Sequence, residues 1–136
     1  MISGHCNCGS VRFEFDGTPA GVFVCHCSIC RRATGANGIA VVVVRNESFK
    51  WIQGKENIAQ WAKPDSEWET WFCRICGSRL PGRNDAERMF VPAGLLPGQG
   101  LGLTVKAHIW VHSRAEWDEV ADGGTQFAER FGGSSA

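Results

Sequence analysis

The stretch CHCSICRRATG, residues 25–35, sets three cysteines within six positions, separates them with a histidine and a serine, and follows them with two arginines and a glycine. Such a run can be a reactive thiol, half of a disulfide framework, or a metal site with one coordination position left open. The cysteines elsewhere in the chain bear on the choice. Seven cysteines cannot all pair. The opening MISGHCNCGS has neither the charged nor the apolar region of a secretory signal. The expected location is therefore cytoplasmic, where thiols stay reduced and metal binding becomes the leading account of the cysteines.

The other cysteines form two pairs, Cys6-Asn7-Cys8-Gly9 and Cys73-Arg74-Ile75-Cys76-Gly77. Each pair offers two sulfurs on a tight turn, and each is followed by a glycine free to take the positive φ that such turns need. Brought together, Cys6, Cys8, Cys73 and Cys76 supply the four thiolates that close a tetrahedral structural zinc site. The metal would fasten an early strand to a late one and remove loop-closure entropy from the unfolded chain. Disulfides or unligated core thiols are the other readings of these four.

The middle group has three sulfurs and no evident fourth. Cys25, Cys27 and Cys30 can wrap one face of a zinc ion and leave the opposite face to water or substrate, which is the mark of a catalytic site. Alternatively His26, His5 or His108 closes the shell, or Cys25–Cys30 holds a metal-free redox thiolate lowered by Arg31 and Arg32. His26 is a candidate proton shuttle or substrate contact, with an ordinary pKa near neutrality; a histidine between two ligands can equally point away from them. Adjacent helical residues diverge by about 100°, so one of the two arginines faces a pocket, and Arg31 is the candidate for binding a substrate carboxylate. Gly35 belongs to a turn.

The remaining chain reads as β-rich. Val11, Phe13 and Phe15 alternate with Arg12, Glu14 and Asp16, the pattern of a strand with one wet face. Strands are also expected at 22–25, 39–44, 48–52, 69–73, 88–93 and 103–112, punctuated by glycine and proline. Short helices are expected at 28–33 and at 113–120, the latter because Ser113 and Glu116 have the spacing of a capping box. A length of 136 residues suits a single domain over 1–136. Fourteen basic residues balance fourteen acidic ones, so no global field draws nucleic acid, and the apolar run GIAVVVV is too short to span a bilayer. Neither nucleic acid nor membrane is an expected partner. The six tryptophans are scattered and read mostly as packing, with Trp68 and Trp71 placed to line a pocket beside the Cys73 turn.

GHCNCGSVRFEF (4–15), CHCSICRRATGA (25–36), FCRICGSRL (72–80) and the tail HIWVHSRAEWDEVADGGTQF (108–127) resemble the signatures of the glutathione-dependent formaldehyde-activating enzyme family, which also includes centromere protein V. The resemblance implies a mainly β, β-tent zinc-binding fold of small antiparallel sheets with short helices and two zinc sites. Cys6, Cys8, Cys73 and Cys76 correspond to the structural ligands, and Cys25, Cys27 and Cys30 to those of the catalytic zinc. It also implies a carbon–sulfur lyase activity like that of S-(hydroxymethyl)glutathione synthase, with glutathione or a related thiol and formaldehyde or another small electrophile as partners. In place of the basic, glycine-containing stretch frequent before FCxxCG, this chain has the acidic KPDSEWETWFC. A non-catalytic thiol or zinc carrier, or a lyase acting on another small substrate, is the alternative function.

Overall fold

The computed structural model describes all of Met1–Ala136. In chain order the strands are β1 (Ile2–His5), β2 (Arg12–Phe15), β3 (Val22–Cys25), β4 (Ile39–Arg45), β5 (Phe49–Gln53), β6 (Ile58–Ala62), β7 (Glu69–Cys73), β8 (Gly82–Arg83), β9 (Arg88–Pro92), β10 (Val105–Ile109) and β11 (Thr125–Gln126). A single α-helix, α1 (Ser28–Thr34), follows β3. The fold is thus mainly β, built of small sheets with one short helix. The chain divides into two compact units, Met1–Thr18 with Val43–Leu101, and Pro19–Val42 with Gly102–Ala136.

In the first unit, β1, β2 and β5 form an antiparallel sheet in which Phe13 faces Gly4 on one side and Trp51 on the other. The period-two pattern of the sequence is expressed directly: Val11, Phe13 and Phe15 are all but fully buried while Arg12 and Asp16 are exposed. Gly4 is required here, because a Cβ at that position would collide with the Phe13 ring. Phe13, Phe49 and Trp51 meet at ring-centroid distances of 5.0–6.2 Å, as stacked and edge-on pairs. Two hairpins complete the unit, β6 with β7 and β8 with β9.

The second unit holds β3, the first half of β4, β10 and β11. Its sheet is mixed: β3 pairs antiparallel with β4, whereas β10 runs parallel to both β3 and β11. Parallel pairing needs a long crossover, and the segment from β3 to β10 provides one; the small antiparallel sheets that the family resemblance implied are thus joined here by parallel pairs. Ile39, Val42, Ala107, Val111 and Ala128 are its buried apolar residues.

Helix α1 falls where the sequence places it, with Gly35 in the left-handed conformation (φ 68°) closing its C-terminus onto the Arg31 carbonyl. The helix expected at 113–120 does not form. The chain leaves β10 through Trp110 (φ 56°), makes a 3-10 turn at Val111–Ser113 and continues in irregular structure. Asp118 is drawn to His26 and Asn37, and Arg114 donates to the carbonyls of Asp118 and Val111, so tertiary contacts override the local capping signal. β1 and β6, whose sequences carry no clear alternation, are strands that the periodicity did not mark.

Candidate metal centres

The first centre, in the first unit, is assembled from two turns of related sequence, CNCGS and CRICGS. In one, Gly9 N–H donates to the Cys6 carbonyl at 3.0 Å; in the other, Gly77 N–H donates to the Cys73 carbonyl at 2.7 Å. Both glycines have φ of 77°, the left-handed conformation that the sequence spacing called for. The serine after each glycine turns its hydroxyl to the second cysteine of its own turn: Ser10 Oγ lies 3.1 Å from Cys8 Sγ, and Ser78 Oγ lies 3.3 Å from Cys76 Sγ. Ser78 Oγ also accepts from the Asn7 N–H at 2.9 Å, tying one turn to the other.

All four sulfurs lie within 4.8 Å of one another, with Cys6 Sγ and Cys8 Sγ at 3.6 Å and Cys8 Sγ and Cys73 Sγ at 3.8 Å. A tetrahedron with metal–sulfur arms of about 2.3 Å has edges of about 3.8 Å, whereas a disulfide requires about 2.05 Å. The donor set and its spacing therefore fit a four-coordinate metal, and all seven cysteines are free thiols. Electrostatics favour thiolates at the outer corners. The Ser78 hydroxyl holds Cys76 down at about 5, and Ser10 similarly lowers Cys8. Burial pushes Cys73 up to about 11, a proton that a cation in the centre would displace.

The second centre lies at the end of β3 and the start of α1, in the second unit. Cys27 is the N-cap of α1, extended at φ −63° and ψ 157°, and its sulfur accepts from the Cys30 N–H at 3.3 Å. Cys25, Cys27 and Cys30 bring their sulfurs within 4.8 Å of one another. Hydrogen bonds from the Cys25 and Cys30 thiols hold Cys27 far below the ordinary thiol range, while the same contacts raise Cys25 to about 11 and drive Cys30 higher still. Three sulfurs at this spacing could hold a cation, and protons left on them would be released on loading.

Neither nearby histidine completes this shell. His26 follows the end of β3, where it is 1% exposed. Its Nε2 lies 2.8 Å from His108 Nδ1, and its Nδ1 lies 3.0 Å from Asp118 Oδ2. The latter approach is off the line of an ideal hydrogen bond, so the attraction is chiefly electrostatic. Burial lowers the His26 pKa against the pull of Asp118. His108 Nε2 in turn meets Asp122 Oδ1 at 2.8 Å, and this contact holds the Asp122 carboxyl below the usual range. Both rings are thus turned to each other and to carboxylates, and neither His26 nor His108 stands among the three convergent sulfurs. The partners of His26 lie far along the chain and carry no local signal.

Of the two arginines, Arg32 is exposed, whereas Arg31 is half-buried and its Nε is enclosed without a hydrogen-bond partner. Of the two tryptophans beside the Cys73 turn, Trp71 lines a cavity of about 400 Å³ in the first unit with Phe49, Trp51 and Met89, while Trp68 lies 5.1 Å from the Arg79 guanidinium.

Comparison with known proteins agrees with this arrangement. The sequence profile of the family described as "Glutathione-dependent formaldehyde-activating enzyme" matches residues 1–113. A Halomonas elongata protein named "Putative glutathione-dependent formaldehyde-activating enzyme" is 33% identical over 85 residues, covering 59% of this chain and 54% of the relative. The chain thus spans about half the length of this curated relative. A crystal structure of a Rhodobacter sphaeroides protein superposes with a TM-score of 0.59 at 27% identity, covering 72% of this chain and 90% of that one. No helix is long and apolar enough to cross a membrane. By its profile match over residues 1–113, with the seven cysteines gathered into two clusters, this chain belongs to the glutathione-dependent formaldehyde-activating enzyme family.

Proposed function

We propose that the protein is a zinc-dependent enzyme of the carbon–sulfur lyase type that joins a small thiol, glutathione first among candidates, to formaldehyde. The observation that carries this reading is the difference between the two cysteine clusters, one with four convergent sulfurs and one with three. Cys6, Cys8, Cys73 and Cys76 hold a structural zinc; Cys25, Cys27 and Cys30 hold a catalytic one. Zinc held by these three cysteines would supply the Lewis acidity that keeps a substrate thiol deprotonated.

In the reaction the thiol sulfur forms a bond to the formaldehyde carbon, the carbonyl π pair moves to oxygen, and that oxygen takes the proton the thiol gave up. Thiol and aldehyde combine without loss into an S-hydroxymethyl adduct. The chain's own contribution is binding and orientation. Arg31 stands one residue after Cys30 and is half-buried, and its guanidinium binds a carboxylate of the thiol substrate through charge-assisted hydrogen bonds. His26 acts from behind the metal loop, since both its ring nitrogens are engaged away from the sulfurs.

The test is two-dimensional exchange NMR between glutathione and S-(hydroxymethyl)glutathione in the presence of formaldehyde, with zinc-loaded protein, with Cys27→Ser, and without protein. Thiols add to formaldehyde unaided, so the comparison with buffer is essential. Faster exchange with wild type alone supports the reading. Equal rates in all three samples refute it and leave a thiol or zinc carrier.

A further inference from the structure

Between the metal loop and the C-terminal segment of the second unit, four ionisable side chains form a continuous line: Asp118, His26, His108 and Asp122. The steps are 3.0, 2.8 and 2.8 Å. The two imidazoles are 1% and 4% exposed and stack at a centroid distance of 5.0 Å. Asp118, 9% exposed, is held at its other oxygen by Asn37 Nδ2 at 3.2 Å; Asp122 accepts the Gly124 N–H at 2.9 Å. The line borders a cavity of about 260 Å³, and its outer end, Asp122, has a side chain 43% exposed.

Burying this much polar surface costs free energy that an apolar core would not require, so the line has to be explained by what it holds. It holds one residue of the metal loop. His26 is flanked directly by Cys25 and Cys27, and its backbone N–H donates to the Ile109 carbonyl at 3.0 Å. On the other side, Gly38 packs so closely on the Cys25 carbonyl that any side chain there would overlap it. The loop is therefore gripped by its backbone at Cys25 and His26 and by the His26 ring, while the flanking sulfurs converge with that of Cys30.

We propose that Asp118, His26, His108 and Asp122 are positioning residues for the second metal centre: they preset the backbone between Cys25 and Cys27 so that three sulfurs converge before the cation arrives. Residues beyond the ligands that fix ligand orientation commonly set metal affinity by about 10- to 100-fold. Here they act through the peptide backbone rather than through a ligand's own ring. An exposed carboxylate near the C-terminal end of the chain thereby tunes a centre formed near its start. The inference rests on the reading of Cys25, Cys27 and Cys30 as a metal centre and is independent of the substrate.

The test is competition between the full-length protein and a chromophoric chelator for zinc, resolving the two affinities, with Cys27→Ser identifying which belongs to the second centre. Asp122→Asn is expected to weaken the second centre about tenfold and leave the first unchanged. His108→Ala is expected to weaken it further. His108→Asn, whose amide can hydrogen-bond to His26 Nε2 from the position of Nδ1, is expected to recover part of the loss. Cobalt loaded in place of zinc gives a second readout: the thiolate charge-transfer band of the second centre shifts in Asp122→Asn and that of the first does not.

Equal second-centre affinities, within twofold, in wild type, Asp122→Asn and His108→Ala overturn the proposal while leaving the metal reading intact. Wild-type protein that binds one zinc only overturns both. Should the histidine variants fail to fold, the wild type decides alone. Its imidazole N–H resonances must move when the second equivalent of zinc is added and not when the first is, and resonances unmoved by both equivalents contradict the proposal.

Discussion

Cys8 and Cys73, separated by 64 residues of sequence, hold their sulfurs 3.8 Å apart. That separation matches the edge of a tetrahedron of sulfurs about a zinc ion and is far longer than a disulfide bond. Cys6 and Cys73 are also fully buried beside Val11 and Leu80, with Trp51, Ile58, Trp71 and Leu95 packed around them. The first centre is therefore part of the core of its unit, and its removal acts on folding.

Cys73→Ser is expected to cost several kcal/mol of stability, because the structural metal contributes folding free energy and closes a long loop. Thermal unfolding followed by circular dichroism, with zinc counted in the same sample, should show Tm lowered by about 10 °C or more. A Tm within about 2 °C of wild type with one zinc lost would place the metal outside the folding core.

Arg31→Ala is expected to raise KM for glutathione about tenfold or more while kcat stays within about twofold, since a charge-assisted contact to a non-reacting carboxylate contributes uniform binding. Arg32→Ala, which removes an exposed side chain, should change neither. Steady-state kinetics on both variants separate the two residues. Equal effects would show that the pair acts only as surface charge.

Asp122 is held below its usual carboxyl range chiefly by the hydrogen bond from His108. The sign follows from linkage: a carboxyl depressed on folding contributes stability above its unfolded pKa of about 3.8, and that contribution is lost as pH falls through the lower folded value. A carbon-13 NMR titration of the Asp122 carboxyl should give a midpoint below about 3.8 in wild type and a return toward it in His108→Ala. An unchanged midpoint would mean that the contact contributes nothing to the ionised form.

Gly38→Ala is expected to cost about 1–3 kcal/mol by forcing the chain away from the Cys25 carbonyl. Chemical denaturation measures the loss, and metal analysis should show the second centre weakened with the first intact.

Much of this architecture was legible in the sequence because it is local. The alternation of Val11, Phe13 and Phe15 specifies a half-buried strand, and the cysteine–glycine spacings specify two turns and the partition of seven sulfurs into four and three. Helix α1 was visible from its residues, with Gly35 to end it. What the sequence did not reveal is non-local. The capping box at Ser113 and Glu116 was outweighed by the attraction of Asp118 to His26, a residue 92 positions earlier. The role of His26 was open for the same reason, since its ring partner, His108, lies 82 residues away. Strand β6 pairs Ile58 with Cys73 and Ala62 with Glu69, a register set by its partner and not by any pattern of its own.

The central claim is that one centre is closed by four protein sulfurs and the other is left open by three. Zinc X-ray absorption on fully loaded protein, with and without glutathione, tests it most directly. The account predicts two zinc ions per chain and a mean of about 3.5 sulfurs per zinc at about 2.3 Å, rising to about 4 when the thiol is added. A mean of about 4 before any thiol is present, or a value that glutathione leaves unchanged, would contradict it.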